Sequence, residues 1–326
     1  MNLFPTGKER QATLIRGTTF LVEGLIHGRV TMIAGAPEAG KSHLTSSLAA
    51  ALIRGDGEWL GHRVTGGPKR VVFGLTDPDG EEETLDRFDT LGVDHCAYNL
   101  GLIERNNTPE YWAGVLAGLQ DAGANVFILD NLLGAIAGDI NSQRDVVAFL
   151  DGLTMISRNG ISVIACHHTA KPGQFATRSP MGSRAFEAWT RSVIYLEKRK
   201  QSGKRVLTAE GNRQADASLT LTFDPRATSG DFFAVESVKA EAEIAADSAA
   251  RKRTRDTATL DRNAEVARWV VSNCQGKGVR ETAREIAGKF GGAEGTHTVN
   301  LSGGRKYGTL LNREGSVWAL AGPLAG

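Results

Sequence analysis

Residues 30–54 read VTMIAGAPEAGKSHLTSSLAAALIR. The run opens on Val30 to Ala34, apolar apart from Thr31 and partly β-branched, and stops at Gly35. Beyond Ser42, Leu44, Leu48, Ala51 and Leu52 recur at helical spacing. The stretch therefore predicts a buried strand, a glycine-bounded loop and a helix. The loop, Gly35-Ala36-Pro37-Glu38-Ala39-Gly40-Lys41-Ser42, fits the pattern G-x-x-x-x-G-K-[ST] in full, with His43 following in the first helical turn. Its two glycines let the backbone curl so that successive N–H groups face a phosphate, and the helix N-terminus adds a favourable dipole. Lys41 is placed to reach the β- and γ-phosphates of ATP, and Ser42 to offer its hydroxyl to Mg²⁺. A glycine-rich turn that matches by chance is the competing reading; the strand before it and the helix after it weigh against that.

Outward from this unit, four more apolar runs follow at Val71–Leu75, Val126–Leu129, Ile161–Ala165 and Val193–Leu196. They alternate with helix-like segments around Glu81–Leu91, Thr108–Ala122 and Ser142–Arg158. Buried strands alternating with helices predict an α/β fold with a mostly parallel sheet covered on both faces. From about residue 193 the pattern turns to strand pairs (SVIYLEKR, KRVLTAEG, SLTLTFD), read as an antiparallel edge. Residues 239–258 are charged, alanine-rich and poor in large apolar groups, which predicts a solvated helix or a tether. Helical spacing returns at Leu260–Asn273 and Arg280–Phe290, with a third helix expected at about Ser302–Asn312 and a turn and short strand at Gly315–Leu320. The resulting division is an ATPase-type domain over 1–236, a charged linker over 237–258 and a small winged-helix-like domain over 259–326.

With 38 basic against 37 acidic residues the formal net charge is +1, so any contact with nucleic acid must rest on local patches rather than on a global field. Cys96, Cys166 and Cys274 lack metal-ligand spacing, and an odd number argues against a disulfide framework, so a reducing cytoplasm is expected. No apolar run has signal-peptide or membrane-span length, and no membrane association is expected.

A phosphate loop of this kind needs a carboxylate at a neighbouring strand end to hold the magnesium shell. The run VFILD supplies Asp130 there. For the group that activates water, Asp77 in LTDPDGEEE is the first candidate, with Asp79 and Glu81 behind it. The same residues also read as a turn and an acidic helix start, and both readings stand. The run Ile161–Cys166 is followed by His167, His168 and Thr169. Polar groups at such a strand tip face the ligand in a doubly wound sheet, so His168 is a candidate sensor of the γ-phosphate. Adjacent histidines on an extended chain point to opposite sides, which disfavours a shared metal.

Taken together these pieces resemble the RecA/DnaB-like ATPases, and within them the AAA_25 group that includes RepA-type hexameric replicative helicases. The carrying segments are FLVEGLIHGRVTMIAGAPEAGKS, EWLG, TDPDGEEETLDRF, VFILDN, ACHHTAKPG and SPMGSRAFEAWTRSVIYL, spanning about Phe20 to Phe223. The resemblance implies a RecA-like core that assembles head-to-tail into a homo-oligomeric ring, a hexamer in that group, or into a filament, with ATP between subunits. It also implies a basic residue reaching the site from the neighbouring subunit, near a K-N-R-like element. Here that element reads Gly211-Asn212-Arg213, so Arg213 matches and the lysine does not. A second departure lies after the second strand, where Thr76 stands in place of the group's presumed catalytic Glu. Either Asp77 takes over or hydrolysis is slow.

The loop KPGQFATRSPMGSR, residues 171–184, matches the position of the DNA-contacting loop of RecA-like proteins, and its Lys171, Arg178 and Arg184 suit contact with a single-stranded backbone. Arg305, Lys306 and Arg313, on or near the expected third C-terminal helix, are candidates for duplex DNA, with docking of a protein as the competing reading of this module. Three functions remain open at this level: a DNA-acting motor such as a replicative helicase or its loader, an ATP-gated DNA-binding or recombination mediator, and a metal-dependent nuclease built on Asp77, Asp79, Glu81, Asp130 and the histidine pair.

Overall fold

In the computed structural model, which describes residues 6–13, 19–55, 57–169, 180–199, 201–211, 217–239, 241–302 and 305–322, the stretch 30–54 folds as its pattern predicts. Val30–Gly35 forms strand β1, buried along its whole length, and Lys41–Arg54 forms helix α1. The helix stops where Gly55 adopts a left-handed φ of 73° and returns its N–H to the Ala51 carbonyl. The alternation continues through β2 (Val71–Leu75), α2 (Gly80–Thr90), β3 (Tyr98–Leu102), α3 (Pro109–Asp121), β4 (Val126–Asp130), α4 (Gln143–Arg158) and β5 (Ser162–His168). Thr108 and Ser142 cap α3 and α4 through their hydroxyls, which fixes where those helices begin. Strands β6 (Ser192–Lys198), β7 (Arg205–Gly211), β8 (Ala217–Phe223) and β9 (Phe233–Lys239) complete the sheet.

The strand order is β9-β8-β7-β6-β1-β5-β4-β2-β3. Pairing is parallel from β6 through β1 to β3 and antiparallel from β6 out to β9. The expected α/β class, mostly parallel with an antiparallel edge, is the observed one. Strands β3 and β9 were not expected; each sits at one end of the sheet, where a strand needs only one well-packed partner.

Side chains alternate along each buried strand, so one sheet feeds two cores. Ile33 and Cys166 face α1 and α2, together with Leu44, Leu48, Phe73 and Phe88. Met32, Ala34 and Ala165 face α3 and α4, together with Trp112, Phe127, Phe149 and Leu153. Each large side chain so buried is worth about 1.5–3 kcal/mol relative to exposure. The second core closes tightly: a Cβ on Gly152 of α4 would fall 2.3 Å from the Trp112 ring of α3.

The chain divides into two compact units at Ile244/Ala245, inside helix α5 (Glu241–Asn273). The charged stretch read as a solvated helix or tether thus enters α5 at Glu241. The second unit continues with α6 (Val279–Phe290), α7 (Glu294–Ser302), a 3-10 turn at Lys306–Leu310 and the hairpin β10 (Leu311–Glu314) with β11 (Val317–Leu320). Its core gathers Val266, Val270, Ala283, Ile286, Leu301, Tyr307 and Trp318. The helix expected at Ser302–Asn312 is absent. The third helix lies earlier, over a segment whose Gly295, Thr296, Thr298 and Val299 are weak helix formers, so propensity hid it. Among the described residues no helix is long and apolar enough to cross a membrane.

Candidate functional site

Strand β1 delivers the glycine loop to the middle of the sheet's C-terminal edge. Gly35 is obligatory for space: a Cβ there would sit 2.6 Å from the Leu196 carbonyl oxygen of β6. Residues Ala36, Pro37 and Glu38 are exposed, and Ala39 is buried. Gly40 has φ 99°, a left-handed conformation that L side chains rarely adopt. Helix α1 then starts at Lys41 with no side-chain cap, which leaves first-turn N–H groups for an anion.

Lys41 is 8% exposed, and its Nζ donates to the Gly35 and Ala36 carbonyls at 3.1 Å each. The same amine lies 3.4 Å from His168 Nδ1. Burial lowers the Lys41 pKa, while nearby Cys166 and Asp130 oppose the shift. His168 stands opposite Gly35 in the β1–β5 register, and its pKa is lowered, first by burial and then by the Lys41 charge. A neutral imidazole follows, able to accept from Lys41 at Nδ1.

The β4 strand that carries Asp130 is not the immediate neighbour of β1; β5 lies between them. Cys166 fills that gap. It is fully buried on β5, where Asp130 and Thr45 of α1 are near enough to act on its thiol. Burial raises the thiol pKa well above its ordinary value, with the Asp130 charge acting in the same direction. Cys166 is therefore a neutral S–H beneath the loop. Ser42 is half-buried in the first turn of α1, and its carbonyl accepts from the Thr45 hydroxyl. His43 turns away from the loop: its ring packs edge-on against Phe223 and Phe232, at 5.3 and 4.8 Å between centroids. Burial, reinforced by the Arg87 charge, takes its pKa down to about 4, so only its backbone N–H is offered to an anion.

At the tip of β2 the structure separates two neighbours. Thr76 Oγ1 accepts from the Asn131 N–H at 3.1 Å and packs so closely that a Cβ on Gly134 would lie 2.2 Å from it. Thr76 thus ties β2 to the backbone after β4. Asp77 is exposed, its Oδ1 accepting from the Asp79 N–H at 3.2 Å and its carbonyl from the Gly80 N–H at 3.0 Å. It forms the turn that opens α2. The other acidic candidates disperse: Asp79 is exposed and Glu81 is half-buried. His167 and His168 point to opposite faces; His167 Nε2 donates to the Met181 carbonyl at 2.7 Å, and burial takes its pKa to about 4. Among the described residues no three His, Cys, Asp or Glu side chains gather as a metal site.

Lys171, Arg178 and Arg213 lie outside the described residues. The residues that flank 170–179 are described: Thr169 pairs with Pro180, and the Met181 N–H donates to the His168 carbonyl at 2.8 Å. Arg184 is exposed, just before a short helix at Ala185–Trp189. In the second unit Arg305 and Lys306 are exposed at the start of the 3-10 turn, and Arg313 lies on β10 with its guanidinium 5.3 Å from the Trp318 ring centre. They border a turn and a hairpin strand rather than a third helix.

Sequence reasoning missed two neighbours of the loop. Cys166 carried no signal beyond burial. Arg205 of β7 donates from Nε to the Ala39 carbonyl at 2.6 Å, and the only hint in the sequence was a basic residue opening a strand.

A family model described as AAA_25, AAA domain, matches residues 8–174. No curated protein matches the chain. Among solved structures, a RadB recombinase is similar with a TM-score of 0.44 and 15% identity, covering 61% of this chain and 89% of that one.

Proposed function

Because the chain belongs to the AAA_25 family of AAA domains, we propose that it binds and hydrolyses ATP at Gly35–His43 and uses that cycle to act on DNA, as a replicative helicase or helicase-loader-like motor. The observation that carries the reading is the Lys41 amine: a buried cation held, among the described residues, by loop carbonyls and His168, where an incoming phosphate would take it over. The residues present fit Mg·ATP. The glycine cradle admits the polyphosphate, and Ser42 and Asp130 would hold Mg²⁺, which supplies neutralisation of phosphate charge.

In this reading Asp77 is the carboxylate that polarises the attacking water, and turnover is slow because the neighbouring Thr76 carries no acid and Asp77 is partly engaged by its own turn. His168 reports the γ-phosphate to the loop, since its own carbonyl holds the Met181 N–H at the loop's base. Arg213 reaches a neighbouring copy's site in a homo-oligomeric ring or filament. Lys171, Arg178 and Arg184 follow a single strand. The second unit acts as a winged-helix-like module, with Arg305, Lys306 and Arg313 towards duplex DNA. A second reading, an ATP-gated DNA-binding mediator without strand separation, is favoured by Thr76 and by Gly211 in place of the lysine. The nuclease reading receives no support from the dispersed acids and the opposed histidines.

The test is ATP turnover by the full chain with and without single-stranded DNA, for the natural protein and Lys41→Ala. Turnover that rises with DNA and vanishes in the variant supports the motor. Turnover indifferent to every form of DNA removes it; stable nucleoprotein complexes without strand separation favour the mediator.

A further inference from the structure

Arg205 opens β7 at the sheet end where the glycine loop sits. It pairs in register with Lys198 of β6, and β6 is itself the neighbour of β1. Its side chain is enclosed, the residue being 5% exposed. Nε donates to the Ala39 carbonyl at 2.6 Å, Nη1 donates to the Gly203 carbonyl, and the guanidinium carbon lies 4.4 Å from the centre of the Phe223 ring. The edge of that ring meets the loop again: the space a Cβ on Gly40 would need is bounded by Phe223 Cζ at 3.2 Å.

Two consequences follow from elementary chemistry. A peptide group is planar and trans, so its C=O and N–H point in opposite directions. Fixing the Ala39 carbonyl on Arg205 therefore aims the Gly40 N–H away from Arg205. The left-handed φ of Gly40 keeps that orientation at the mouth of α1. The second consequence concerns charge. An arginine stays protonated at neutral pH, and buried charges are normally paired. Among the described residues no carboxylate pairs with Arg205; its partners are two carbonyl dipoles and a ring face. An enclosed cation without a carboxylate partner among the described residues adds positive potential beside the phosphate loop.

We propose that Arg205 is a positioning residue of the nucleotide site: it holds the Ala39 carbonyl so that the Gly40 N–H is set for phosphate, and its charge adds to the field that draws the polyphosphate of a nucleoside triphosphate to the loop. This rests on the ATP-binding reading above.

The experiment is titration of the full chain with Mg·ATP, at several ionic strengths, for the natural protein, R205K and R205Q, with thermal unfolding of each ligand-free protein alongside. Loss of the preset Gly40 N–H as a charge-assisted donor to phosphate predicts binding weaker by about tenfold to a hundredfold in R205Q. R205K keeps the charge without the planar fork and recovers part of the affinity. The salt dependence of binding is shallower in R205Q and retained in R205K, a difference that a purely structural role would not produce. Unchanged affinity in folded R205Q overturns the proposal, and so does a loss that is equal in both variants with no change in salt dependence. If R205Q does not fold, R205K decides: affinity matching the natural protein overturns the proposal. If the natural protein itself does not bind Mg·ATP, the ATP reading fails and this inference falls with it.

Discussion

Thr76 and Asp77 are adjacent, yet the structure gives them different work. The Thr76 hydroxyl is committed to the Asn131 backbone, whereas the Asp77 carboxylate has one oxygen in a turn and its body in solvent. If Asp77 polarises water, Asp77→Asn lowers kcat by about a hundredfold or more while leaving the dissociation constant for Mg·ATP within about twofold. Steady-state turnover and equilibrium titration read these separately. Unchanged kcat would make Asp77 a turn former only. At this scale the loop was fully legible in the sequence, because Gly35, Gly40, Lys41 and Ser42 follow a spaced pattern with a chemical reason at each place. Asp130 was legible as an acid at a strand end. Cys166 and Arg205 were not, since each acquires its position from a strand pairing distant in the chain: β5 slots between β1 and β4, and β6, with β7 beside it, pairs with β1. No local spacing encodes such neighbours.

Elements were read as well as their hydrophobic patterns allowed. The five central strands and helices α2, α3 and α4 carry strong apolar periodicity, and they stand where expected. Strand β3 was hidden because YNLGL offers only alternate apolar groups and a glycine. Helix α7 was hidden because it is held by packing rather than propensity: the His297 Nδ1 meets the Tyr307 hydroxyl at 2.6 Å, and Leu301 enters the core. The 3-10 turn after it passes so near that a Cβ on Gly308 would fall 1.9 Å from the Asn300 carbonyl oxygen. Gly308→Ala therefore forces backbone apart and destabilises the second unit by about 1–3 kcal/mol. Calorimetry of the full chain would show the corresponding transition several degrees lower; an unshifted transition would mean the turn can move aside at no cost.

For the whole molecule, one mixed sheet brings a phosphate loop, a buried lysine, a strand-end aspartate and a histidine to a single edge, and Lys171 and Arg178 follow that histidine closely in the sequence. In the proposed reading nucleotide and DNA would therefore meet at one strand tip, and the central claim is that ATP at the first governs DNA at the second. The most direct measurement is the anisotropy of a labelled single-stranded oligonucleotide titrated with the full chain, without nucleotide, with Mg·ADP and with Mg·ATP. The account predicts affinity at least about tenfold higher with Mg·ATP, lost in Lys41→Ala, a coupling of the usual size for linked sites. Equal affinity in all three nucleotide states would contradict it.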